Sequence, residues 1–269
     1  MSLQLIDTHC HLDVSDFDAD RTQVLSRSRV ACVAAIVVPG IDSAGWDGLL
    51  ALCAGESGRT PRLYPALGLH PVYLHRHRDA DLAALEQALD EPREGHRPVA
   101  VGEIGLDFHD PALDAGRQQA LCAAQLAIAR AARLPVLLHV RKAHEDMLRL
   151  LRNAGVVGGI AHAFNGSLEQ ARRYIDLGFK LGFGGMLTFE RSSRLRRLAR
   201  ELPIEAIVLE TDAPDLTVAS HRFERNSPEY LPEVLAALAQ VRDTAPEQLA
   251  AQTTTNARAV LGLNELRLN

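Results

Sequence analysis

Residues 3–9 read LQLIDTH, and they open a rhythm that runs through the whole chain. A short apolar run ends in polar residues, and a stretch with helical spacing or helix-start signals follows. The pattern returns at CVAAIVVPG (32–40), RLYPALGLH (62–70), PVAVGEIG (98–105) and LPVLLHV (134–140). It returns again at GGIAHAF (158–164), GFKLGFGG (178–185) and IEAIVLETD (204–212), giving eight candidate strands. Residues 20–30, 42–54, 79–89, 112–133, 142–153, 167–177 and 192–201 suit crossover helices. Such alternation implies parallel pairing, and eight units close naturally into an α/β fold, the (β/α)8 TIM barrel. A doubly wound sheet calls instead for a glycine-rich phosphate loop after an early strand, where this chain has DTHCHL (7–12). From Ser227 onward, SPEYLPEVLAALAQV and APEQLAAQTTTNARAVLGL read as two or three C-terminal helices that close the barrel, with Asn256 as a packing or capping residue.

A length of 269 residues leaves one or two domains open, and the eight units with their helical extension account for residues 1–269 as one barrel. No Pro-, Gly- or Ser-rich linker divides the chain, and no repeat appears beyond the shared architecture. Hydrophobic residues make up 47%, enough for a large core, so disorder and fibrous structure are excluded. With 34 acidic against 29 basic residues the net charge is −5, which excludes a protein-wide basic surface for non-specific DNA binding. The four cysteines form no CxxC pair and are too sparse to staple the chain, which fits a reducing cytosol. The N-terminus carries no signal-type stretch, and nowhere do about 18 apolar residues run together. These features describe a cytoplasmic protein with no membrane segment and no evident obligate protein partner.

In a barrel of this type chemistry sits at the C-terminal strand ends. Strand 1 ends in HxH, and side-chain alternation turns His9 and His11 to one side and Cys10 away. Two imidazoles so placed form a chelating pair, against the plainer reading of two polar loop histidines. Strand 4 brings Glu103, expected on one face with Val99 and Val101. A buried carboxylate there must be paired or metal-bound, and Arg141 is the alternative partner. Strands 5 and 6 bring His139 and His162, and strand 8 brings Asp212 on one face with Glu210. His9, His11, Glu103, His139, His162 and Asp212 are too many for one tetrahedral ion. They suit two divalent ions sharing a carboxylate and a water.

The motifs DTHCHL, GLHP, GEIGLDF, LPVLLHVRKAH, HAFNGS, LETDAP and TTTNARAVLGL follow one another from about Asp7 to Leu263. In that order the chain resembles the TatD family of metal-dependent hydrolases, within the amidohydrolase superfamily. HAFNGS and LETDAPDL are most similar to the YjjV branch. The resemblance implies a first metal held by His9, His11, Glu103 and Asp212, and a second held by Glu103, His139 and His162. The ions are Mg, Mn or Zn. It also implies deoxyribonuclease activity, often 3′ to 5′ exonuclease action.

Within that frame Asp212 is the candidate general base, with Glu103 the shared catalytic carboxylate. His70 in GLHP either meets substrate or caps the turn at Pro71. Arg141 either steers a phosphate or orients Glu103. Asp107, and Asp7 one layer deeper, are expected to partner ligand imidazoles. Arg191 and Arg194, from the run Arg191, Arg194, Arg196, Arg197 and Arg200, either meet a phosphate backbone or form part of a solvated helix face. His75, His77, His96 and His144 are expected to be solvated, and His109 and His221 stand close enough to strand ends to line the mouth.

The function so indicated is a phosphodiesterase acting on DNA ends. With aromatics at 4%, stacking platforms are scarce, which favours short contacts with a terminus. The alternative is a metal-dependent ester or amide hydrolase such as a D-aminoacyl-tRNA deacylase. A purely binding barrel is disfavoured because all six ligand positions are filled.

Overall fold

The computed structural model describes residues 3–56, 60–91 and 97–263, so His96 lies outside the described residues. The strands are β1 (Leu5–Asp7), β2 (Val33–Pro39), β3 (Arg62–Leu67), β4 (Ala100–Asp107), β5 (Val136–Arg141), β6 (Gly159–Ala161), β7 (Phe179–Phe183) and β8 (Ile207–Leu209). They form one parallel sheet in sequence order, as the alternation implied. Its two edges meet where the Thr8 N–H donates to the Leu209 carbonyl at 3.0 Å and the Asp212 N–H to the His9 carbonyl at 2.8 Å. The result is a nearly closed TIM barrel.

The helices are α1 (Arg21–Val30), α2 (Trp46–Gly55), α3 (Asp79–Asp90), α4 (Ala115–Ala132), α5 (His144–Ala154), α6 (Leu168–Asp176), α7 (Ser193–Glu201), α8 (Leu231–Arg242) and α9 (Pro246–Leu261). Capping chemistry sets several bounds. Asp114 accepts from the Arg117 N–H at 2.9 Å, so α4 starts after it and not at Ala112. Ser167 and Gln170 form a reciprocal capping box on α6. The apolar run expected as strand 8 is partly a 3-10 turn, Ile204–Ala206, which shortens β8.

Two apolar layers result. Leu5, Val38, Val101, Leu138, Leu181 and Leu209 pack outward into the layer shared with the helices. Ile6, Val37, Ala100, Leu137, Ile160 and Val208 point inward, where Ala257 and Leu261 of α9 plug the barrel. Asn256 fastens that plug, donating to the carbonyls of Ile204 and Ile207, both at 2.7 Å. One expectation fails here: Val101 faces the helices while Glu103 faces the mouth. The β4 ladder slips between Val101 and Ile104, so strict alternation does not hold across the residues that matter most. Among the described residues no helix is long and apolar enough to cross a membrane.

Candidate metal centre

The slip in β4 delivers Glu103, only 1% exposed, to the middle of the barrel mouth. Five imidazoles surround it. His9 Nε2 lies 3.1 Å and His11 Nε2 3.3 Å from Oε2. On the other oxygen, His162 Nε2 lies at 2.8 Å, His139 Nδ1 at 3.0 Å and His70 Nε2 at 3.3 Å. Among the described residues no Arg or Lys pairs with Glu103, so the Arg141 alternative is not what the structure shows. Asp212 stands opposite, its Oδ1 3.6 Å from His9 Nε2 and 4.0 Å from His162 Nδ1. Cys10 points away into the apolar layer.

Hydrogen bonds on the far side of two rings fix their roles. His139 presents Nε2 to the Asp107 carboxylate at 2.9 Å, so the proton sits there and the Nδ1 lone pair faces the centre. His70 is the reverse. The Val72 N–H donates to its Nδ1 at 3.2 Å, placing the ring proton on Nε2, toward Glu103. His139 is thus ready to bind a cation, while His70 is ready to donate a hydrogen bond. Asp107 thus stands beside the ring of His139. Asp7 bonds elsewhere: its carboxylate accepts from the Thr211 hydroxyl at 2.6 Å, the Thr211 N–H at 3.0 Å and the His9 backbone N–H at 3.2 Å. It ties β1 to the β8 loop through the Thr211 hydroxyl and N–H, and among the described residues no hydrogen bond joins it to a ring nitrogen.

Charges in the cluster are strongly coupled to burial. Burial would raise the Glu103 carboxyl, but the imidazoles of His70, His162 and His9 hold it well below the usual range. Burial likewise opposes charge on His11 and His162, yet Glu103 wins and lifts them to about 9 and about 10. His9, buried and beside His162, falls to about 3. The Glu103 carboxylate thus favours the protonated form of both rings. Side-chain donors from His9, His11 and Glu103, from His9, His162 and Asp212, and from His70, Glu103 and His139 each converge within 4.8 Å. The buried Nδ1 atoms of His9, His11 and His162 have no hydrogen-bond partner. A set of imidazoles and carboxylates with orphaned nitrogens fits divalent cations.

Several neighbours were not among the expected site residues, although Glu210 belongs to the LETDAP motif. Glu210 is fully buried beneath His162, its Oε1 accepting from the Ala163 N–H at 2.5 Å and lying 3.9 Å from His162 Nδ1. Burial pushes this carboxyl up to about 8. Gly182 on β7 makes room for it, since a Cβ there would stand 2.1 Å from Glu210 Oε2. Gln118 and Gln125 on α4 clamp the loops that bear Asp107 and His70: each side-chain amide accepts from and donates to one backbone residue, Asp107 and Leu69 respectively. Their spacing of seven on the buried face of α4 is the one sequence signal that marks them.

Other placements differ from expectation. His77 and His144 are buried, not solvated: His77 Nε2 closes the turn after β3 on the His70 carbonyl at 2.8 Å. His144 Nε2 meets Asn165 Oδ1 at 3.1 Å. A cleft opens beside His139, His162 and Asp212; His75 is exposed, and so is His109, which does not line that cleft. His221 stacks on Tyr230 at 3.9 Å, away from it. Arg141 and Arg191 both stand on its wall.

A parallel barrel with such a cluster at its strand ends is the architecture of a metal-dependent hydrolase. The model of the TatD related DNase family matches residues 6–262, and the chain belongs to the TatD family. It is similar to YjjV of Escherichia coli K12, described as an uncharacterized metal-dependent hydrolase: 39% identity, covering 95% of this chain and 97% of that protein. YabD of Bacillus subtilis, described in the same words, is 33% identical over 97% of this chain and all of its own length. The crystal structure of E. coli YjjV superposes with a TM-score of 0.90 at 38% identity, covering 97% and 98% of the two chains.

Proposed function

We propose that this protein hydrolyses phosphodiester bonds at DNA ends, using two divalent ions, Mg2+, Mn2+ or Zn2+, in the cytoplasm. The observation that carries the reading is one buried carboxylate, Glu103, ringed by five imidazoles with Asp212 opposite. His9, His11, Glu103 and Asp212 would hold one ion, and Glu103, His139 and His162 the other. Bound there, the ions lower the pKa of a water and neutralise charge on phosphoryl oxygens.

The chain's own groups do the rest. Asp107 keeps the Nε2 proton of His139 and so frees Nδ1. Asp212, its carboxyl raised by burial, accepts the proton of the attacking water as the oxygen–phosphorus bond forms. The P–O bond to the leaving sugar breaks, and that proton passes to the departing oxygen. His70, whose Nε2–H points at Glu103, and Arg141 and Arg191 on the cleft wall are the candidate substrate contacts.

The test is turnover by the purified protein and its His139→Ala variant of single-stranded DNA, a simple phosphodiester and an aryl ester, each with Mg2+, Mn2+ or Zn2+. DNA cleavage lost in the variant supports the proposal. Ester cleavage without diester cleavage moves the reading to a carboxylic ester hydrolase. Full activity in Asp212→Asn with both ions retained removes the base assignment.

A further inference from the structure

The cleft that opens from the candidate metal centre is one-sided. It has a volume of about 680 Å3, and among the described residues every one that lines it falls between His139 and Leu216. The loops after β1 to β4 contribute none of its wall. That volume lies in the range of clefts that enclose a small organic ligand. His139, His162 and Asp212 of the candidate metal centre line it together with the apolar side chains of Phe164, Phe183, Met186, Leu195 and Leu198.

Three arginines line this cleft: Arg141 at the end of β5, Arg191 just before α7 and Arg194 in its first turn. The remaining members of the run are engaged elsewhere. Arg196 donates to the Leu187 carbonyl and to Gln240, both at 3.1 Å, Arg197 pairs with Glu201 at 3.1 Å, and Arg200 donates to the Val241 carbonyl at 3.1 Å. Arg194 reaches from α7 to the Asn165 carbonyl on the loop after β6. The carboxylates on the wall are Glu210, Asp212 and Asp215, from β8 and the loop after it. Guanidiniums that line a cleft attract an anion that enters it.

We propose that this cleft holds a second phosphate, one nucleoside away from the scissile group, with the intervening nucleoside on the apolar floor. The proposal rests on the phosphodiester reading above and sharpens it. The preferred substrate is a nucleotide chain that carries a further phosphate on one side of the cleaved bond. The guanidiniums of Arg191 and Arg194 supply the recognition, in the bidentate geometry that suits phosphate.

The test compares a dithymidine phosphodiester without terminal phosphate against its 5′- and 3′-phosphorylated forms. One phosphorylated form is expected to be preferred by about tenfold or more, mainly through KM. Arg194→Gln and Arg191→Gln each reduce that preference by about tenfold, and Arg197→Gln keeps it. Equal turnover of all three substrates, or equal effects of Arg194→Gln and Arg197→Gln, overturns the proposal. If no dinucleotide is cleaved, the phosphodiester reading fails, and calorimetric titration decides the second site alone. Thymidine 3′,5′-bisphosphate must then bind the wild type more tightly than thymidine 5′-monophosphate, by a margin that Arg194→Gln removes. Equal binding of the two nucleotides overturns the site.

Discussion

At the C-terminal ends of the strands five imidazoles crowd one carboxylate, whereas at the opposite end α9 lies across the barrel and its polar atoms meet backbone carbonyls. Asn256 satisfies Ile204 and Ile207, and Thr254 donates to the Gln4 carbonyl at 2.8 Å. Every buried polar group named at the plug has a partner in the fold. At the mouth the Nδ1 atoms of His9, His11 and His162 and Glu210 Oε2 have none. Buried unpaired polar groups are costly, so the mouth carries a stability deficit, and the plug supplies stability that needs no ligand. Mutation should therefore separate the two ends cleanly.

The largest effect is expected from Glu103→Gln. Divalent-ion affinity measured by calorimetry should collapse and kcat/KM should fall by about a thousandfold or more, while the metal-free protein stays folded. At the other end Asn256→Ala orphans two carbonyls and should cost about 2–4 kcal/mol in urea unfolding, with kcat of the folded fraction unchanged. A matching loss of kcat would break the comparison.

That contrast bears on what the sequence could disclose. Strand–helix alternation and the ends DTHCH, LLHV and GIAHAF put the barrel and its mouth within reach, because period and residue chemistry are local properties. The facing of Glu103 was reached by an alternation that the β4 slip breaks, since a ladder irregularity depends on the neighbouring strand. The contacts of Asp7 are hidden from the sequence for a similar reason: its partner Thr211 lies 204 residues away. Gln118, Gln125 and Glu210 hold their neighbours through contacts that no motif spells out. The tautomers of His70 and His139 follow from a backbone N–H and a carboxylate that only folding brings to the rings.

The mouth's deficit has a pH signature. His11 and His162 titrate in the fold at about 9 and about 10, above their ordinary 6.5, and Glu210 at about 8, above 4.5. In each case the native state holds its proton longer than the unfolded chain, so this stability is complete at low pH and is lost as pH rises through the folded values. In chelator the melting temperature should therefore fall by roughly 5 °C or more between pH 6.5 and 9. Excess Mn2+ should flatten that slope, because cations replace the protons. A steeper slope with metal would contradict the charge balance described here.

Smaller effects refine the picture. Gly182→Ala drives a methyl into Glu210 and should destabilise by about 1–3 kcal/mol, with weaker ion binding through His162. Arg197→Ala, on the solvated side of α7, should change stability by less than about 0.5 kcal/mol and leave turnover alone.

The seam between β1 and β8 has a consequence in time. Thr8 and Leu209, which join across it, stand 201 residues apart in the chain. A ribosome working at roughly 5–20 residues per second needs about 10–40 s to make the second after the first. Throughout that interval His9 and His11 wait on an unclosed edge without Asp212, and α9, which plugs the base, emerges later still. The candidate metal centre is thus among the last parts of the nascent molecule to exist, and a growing chain carries its histidines long before the cluster is complete.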